Sequence, residues 1–140
     1  MKPKNLRILF SMALALGLSA QSYGSETVSE AGAGQFLLYN VGAKQYLCPG
    51  NAWGTHASVG NVGMMVELVP QNDGTYRVST KPYYNSDLCL GDNAYVDNNG
   101  KGTYSFEKVE GVEEPTYKLV CKSNKLYWSV KGTDLSFDAN

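Results

Sequence analysis

The chain has 140 residues, with 12 basic and 13 acidic side chains and a net charge of −1. That balance, without any basic cluster, excludes nucleic acid and anionic membrane as partners held by bulk charge. The length suits one domain with a core of its own rather than a chain of domains.

Residues 1–24 have the parts of a secretory signal peptide in order. Lys2, Lys4 and Arg7 precede an apolar run from Ile8 to Leu18, and small residues follow, with cleavage expected after Ala20 or Gly24. An apolar run of roughly a dozen residues is too short to span a ~30 Å hydrocarbon core, so no membrane span is expected. The first cysteine is Cys48, far beyond any cleavage point, which closes the lipid-anchor route. The expected location is therefore secreted, periplasmic or at the cell surface. Loss of the leader leaves nine basic against thirteen acidic residues, a net charge near −4.

Residues 25–34, SETVSEAGAG, are small and polar without period and read as a flexible lead-in. From residue 35 onward no long stretch has helical periodicity. Short runs rich in Val, Leu, Tyr and Phe are instead interrupted by Gly, Asn, Asp or Pro, the pattern of an all-β domain over 35–140. Turn formers gather at Asn72-Asp73-Gly74, Asp97-Asn98-Asn99-Gly100 and Gly132-Thr133-Asp134.

The strands repeat. Phe36–Asn40, Thr75–Ser79 and Thr116–Val120 open three units, and their aromatic residues Phe36, Tyr76 and Tyr117 stand 40 and 41 residues apart. A second short strand follows in each unit: Gln45–Leu47, Leu88–Gly91 and Lys125–Trp128. The first two units end in Val66–Val69 and Tyr104–Val109, while the third reaches Asp134–Phe137 without a fourth strand. Three units of about 40 residues with up to four strands each describe a β-trefoil whose third repeat lacks its last strand. The open edge has three accounts: a truncated chain, a strand supplied by a partner, or pairing by the lead-in 25–33.

Phe36–Gly60, FLLYNVGAKQYLCPGNAWGTHASVG, resembles the opening repeat of ricin-B-like β-trefoil domains of secreted Bacteroidetes-type proteins. Those read as YLYNVGTGKYL followed by GGNxWGTxA, and the similarity runs from Gln35 to about Phe137, weakening in the third unit. Within it, Asn40-Val41-Gly42 turns the chain and Tyr46-Leu47 returns it to the core. The resemblance implies a carbohydrate-binding module. The usual family marker, Gln-x-Trp, is missing: Gln35, Gln45 and Gln71 are followed two residues on by Leu37, Leu47 and Asp73.

Two local constellations suit a sugar. An aromatic ring takes the apolar C–H face of a pyranose while Asn and Asp take its hydroxyls. Asn51, Trp53 and His56 offer these parts in the first unit, and Asp92, Asn93 and Tyr95, with Asp97, repeat them in the second. The structural alternative has Trp53 and Tyr95 plugging the end of the barrel and the Asn residues serving turns. Tyr83-Tyr84-Asn85 reads as a loop after Pro82, a contact surface for sugar or peptide. Of Tyr127-Trp128, one ring must face inward.

Nothing points to catalysis, cofactor or metal. His56 is the single histidine, the three cysteines stand 41 and 32 residues apart, and zinc needs ligands at short spacing. Cys48, Cys89 and Cys121 allow three choices of one disulfide, each leaving an odd thiol. The rival functions are a protein–protein module, such as a protease-inhibitor-like trefoil binding through Lys81–Asp87, and an accessory domain without a ligand.

Overall fold

The computed structural model describes residues 4–8, 14–16, 34–50, 54–100, 102–113 and 116–139. It is all-β apart from one helical turn. The strands are β1 (Lys4–Ile8), β2 (Leu14–Leu16), β3 (Gly34–Asn40), β4 (Gln45–Pro49), β5 (Ala57–Gly60), β6 (Met65–Pro70) and β7 (Tyr76–Ser79). After the helical turn α1 (Lys81–Tyr84) come β8 (Tyr104–Lys108), β9 (Tyr117–Cys121), β10 (Tyr127–Lys131) and β11 (Asp134–Asp138).

All eleven strands join one sheet in the order β10-β11-β5-β4-β3-β6-β7-β8-β9-β1-β2, with further pairings of β10 to β9 and β3 to β1. Those extra pairings close a circuit: β3-β6-β7-β8-β9-β1 and back to β3. Every pairing within it is antiparallel except those of β1, which runs parallel to both β3 and β9. Hairpins β4–β5 and β10–β11 stand outside the circuit and meet where Asp134 pairs with Ser58.

The alternating pattern of each strand determines which side chains enter the core. Along β3 Phe36, Leu38 and Asn40 are buried while Leu37 and Tyr39 are half-buried, and along β9 Tyr117, Leu119 and Cys121 are buried. The three repeat-opening aromatics, Phe36, Tyr76 and Tyr117, all enter this core with Leu47, Val66, Leu68, Tyr104, Trp128 and Leu135. Rings organise its middle: Tyr104 and Trp128 meet edge to face at 4.7 Å, and Phe106 lies between Tyr76 and Tyr117. Tyr104 Oη donates to the Gly91 carbonyl at 2.8 Å, and its burial pushes the phenol well above its ordinary pKa.

Three sequence expectations change. Leu88–Gly91 is not a strand: Cys89 makes only isolated bridges to Ser79 and Asn98. Tyr83 and Tyr84 lie on α1 rather than in a loop, with Pro82 in its first turn and Asn85 closing it at φ 55°. A single turn is too short to leave a periodic signal. Gly34, assigned to the lead-in, opens β3, while 25–33 lie outside the described residues. Lys4–Ile8 pairs in parallel along β3. The other strands stand within a few residues of expectation, and Trp128 is the inward ring beside a half-buried Tyr127.

Candidate functional site

The second unit keeps its turns but loses its ladder, and the reason is local. Asp92–Gly100 is dense in side chains that capture backbone donors. Asn93 Oδ1 accepts the Tyr95 N–H at 3.1 Å, and Asn98 Oδ1 accepts the Gly100 N–H at 3.0 Å. Such local hydrogen bonds compete with strand pairing. The backbone closes on itself as well: Gly91 N–H donates to the Tyr95 carbonyl and Ala94 N–H to the Gly91 carbonyl. Ala94 takes φ 68°, and a Cβ on Gly91 would stand 2.6 Å from Asn93 Oδ1.

This turn is fastened to the first unit. Ala57 N–H donates to the Ala94 carbonyl at 2.7 Å and Val96 N–H to the Thr55 carbonyl at 2.8 Å, either side of the His56–Tyr95 bridge. The His56 and Tyr95 rings meet edge to face, with centroids 5.0 Å apart. His56 Nδ1 lies 3.1 Å from the Ala57 carbonyl, which fixes the ring against its own backbone. From below, Thr80 Oγ1 donates to the buried Val96 carbonyl at 2.7 Å.

Beside Tyr95 opens a shallow hollow of about 610 Å3, lined by Thr55, Leu88, Asn93, Tyr95, Asp97, Asn98 and Asn99. Its lining is one half-buried ring, one aliphatic side chain, amide and hydroxyl groups that donate and accept, and one carboxylate that accepts. Burial first, then the charges of Tyr83 and Asp97, raises the Tyr84 phenol pKa. Tyr83 packs edge to face on Tyr84 at 4.8 Å and is 53% exposed.

Of the six residues proposed from sequence, His56, Asn93 and Tyr95 come together here. Asp92 does not: its Oδ2 accepts from Ser123 Oγ at 2.8 Å, tying the second unit to the third. Asn51 and Trp53 lie outside the described residues. Thr55, Leu88, Asn98 and Asn99 also line the hollow, without a mark in the sequence as site residues. The run Asp97–Gly100 was visible as turn punctuation, and its position two residues after Tyr95 is the signal that would have joined it to the site.

Cys48, Cys89 and Cys121 are all free. Cys48 Sγ lies 3.4 Å from Ser58 Oγ and Cys121 Sγ 3.4 Å from Ser123 Oγ, while Cys89 is buried. Among the described residues no three His, Cys, Asp or Glu side chains gather as metal ligands, and no helix is long and apolar enough to cross a membrane. Comparison with family models, curated proteins and solved structures finds no match to the chain.

Proposed function

We propose that the chain is a secreted, non-catalytic β-trefoil module of the ricin-B-like kind, and that it binds carbohydrate in the hollow beside Tyr95. The observation that carries this reading is the juxtaposition of the Tyr95 ring with Asn93, Asp97, Asn98 and Asn99 in one open, polar hollow. A pyranose needs an apolar platform and several hydroxyl partners, and this wall offers both. The hollow is open and shallow, which suits a terminal sugar or short glycan entering from solvent.

The trefoil part rests on two features: the spacing of Phe36, Tyr76 and Tyr117 by 40 and 41 residues, and their shared burial. A location outside the cytoplasm rests on the leader of residues 1–24. Non-catalytic action rests on the chemistry of the hollow: its polar groups are neutral amides, a hydroxyl and one carboxylate, without an adjacent nucleophile–base pair.

A glycan array probed with the exported protein tests the function. Binding to a defined glycan class, lost in Tyr95→Ala, is the expected result. A protein-binding module is the second reading, favoured by the exposed Tyr83 on α1 beside Asn85 and Asp87. An array without signal, together with a protein partner whose capture is lost in Tyr83→Ala, would replace the first reading by the second.

A further inference from the structure

Three carboxylates belong to residues 87–97, and two of them are already engaged. Asp87 Oδ1 accepts from Arg77 Nη1 at 3.0 Å, and Asp92 Oδ2 accepts from Ser123 Oγ at 2.8 Å. The third, Asp97, is exposed and lines the hollow beside Tyr95. Among the described residues no cation pairs with it. It is also the single charged side chain in the described lining, whose other members are Thr55, Leu88, Tyr95 and three asparagines.

The carboxylate is positioned by its neighbours. Val96, before it, is buried; its N–H donates to the Thr55 carbonyl at 2.8 Å and its carbonyl accepts from Thr80 Oγ1 at 2.7 Å. Asn98, after it, exchanges both backbone hydrogen bonds with Cys89, at 2.8 and 3.0 Å. Tyr95 is fixed in the same manner. Its N–H donates to Asn93 Oδ1, its carbonyl accepts the Gly91 N–H, and the His56 ring packs on its own. Ring and carboxylate thus stand two residues apart on a hydrogen-bonded backbone, which lowers the cost of ordering them around a ligand.

A carboxylate accepts hydrogen bonds, donates none, and sorts ligands by charge. A sugar ammonium gains a charge-assisted hydrogen bond from it, and the face of a neighbouring aromatic ring favours a cation as well. A hydroxyl gains less. A sugar carboxylate meets like charge, with no described cation in the lining to offset it.

We propose that Asp97 makes the hollow selective by charge, preferring a hexosamine with a free amino group to the uncharged sugar and rejecting the uronic acid. The inference rests on the carbohydrate reading and deepens it by naming the class of sugar.

The test uses the exported protein and the methyl glycosides of glucose and galactose, each as the parent sugar, the 2-amino sugar, the 2-acetamido sugar and the uronate. Affinities are read by chemical-shift titration at neutral pH and low salt. The amino form should bind roughly two- to fivefold tighter than the parent and acetamido forms, the strength of one exposed ion pair, and the uronate should bind more weakly than either. High salt should shrink these differences. Asp97→Asn should erase the order among the forms, whatever it does to the affinity they share. Equal binding of amino sugar and uronate, an order that survives in Asp97→Asn, or failure of both amino sugars to bind overturns the proposal while leaving the carbohydrate reading in place. A glycan array without any signal would instead remove the carbohydrate reading, and the proposal with it.

Discussion

The first and second units begin alike and diverge in their middle strands. In the first, β4 and β5 form a four-pair ladder from Tyr46↔Gly60 to Pro49↔Ala57. In the second, the corresponding segments meet only at Cys89↔Asn98, where each residue donates its N–H to the other's carbonyl at 2.8 and 3.0 Å. Ala57, Ser58 and Val59 are buried along β5, whereas Asn98 Oδ1 accepts the Gly100 N–H and Asp97 and Asn99 are exposed. A loosened ladder beside a rigid one produces a concave, polar surface with a fixed floor. The hollow lies on the loosened side.

The largest effects should come from the shared core beneath both units. Leu47→Ala in β4 and Leu90→Ala beside the bridge each remove a side chain that is 0% exposed and should each cost about 2–5 kcal/mol in denaturant unfolding. Leu88→Ala, at the half-buried wall of the hollow, should cost less than either. Equal losses at all three positions would show that the second unit is as firmly built as the first.

Gly91→Ala should be the most damaging single change at the turn itself. Its Cβ would press on the Asn93 and Asn98 side chains, and relief of such overpacking costs about 1–3 kcal/mol. The matching expectation for ligand is a loss of binding larger than the loss of stability. Asn98→Ala removes the Asn98–Gly100 hydrogen bond and should cost about 1 kcal/mol, with hydrogen exchange faster at Gly100 than along β4 and β5.

The smallest effect is electrostatic and joins the turn before the second unit to the third. Lys122 pairs with Asp73, whose carboxylate also accepts from Thr75 Oγ1 at 2.6 Å. Lys122 first, then Thr75, hold the Asp73 carboxyl well below the usual carboxylate range. A carboxyl lowered by folding adds stability above its unfolded pKa of about 4, and that stability is lost as pH falls through the lower folded value. Asp73→Asn should therefore lower stability slightly at neutral pH and flatten the acid limb below about pH 4, so that the two proteins converge as pH falls. Because the pair is exposed, salt should shrink the difference between the two proteins.

Much of this was legible in the sequence because it depended on period. Phe36, Tyr76 and Tyr117 sit where two nearly equal spacings bring them to one core, and short alternating runs give their strands away. Less legible was anything decided by competition. Whether Leu88–Gly91 pairs as a strand depends on Asn93 and Asn98 capturing nearby N–H groups, which composition alone does not rank. Asp92 looked equivalent to its neighbour Asn93, yet the turn directs it to Ser123 on another unit. The strand role of Lys4–Ile8 was hidden for a different reason: its charge and apolar run read as a leader, and parallel pairing with β3 has no local signature.

The most direct test of the central claim is a chemical-shift titration of the isotopically labelled exported protein with the best glycan from an array. The account predicts shifts concentrated at Thr55, Asn93, Tyr95, Asp97 and Asn98, saturating with sugar and reduced at least tenfold in affinity by Tyr95→Ala, the loss expected of a central aromatic contact worth more than about 1 kcal/mol. Shifts confined to Lys81–Asp87, or saturable binding that Tyr95→Ala leaves intact, would contradict it.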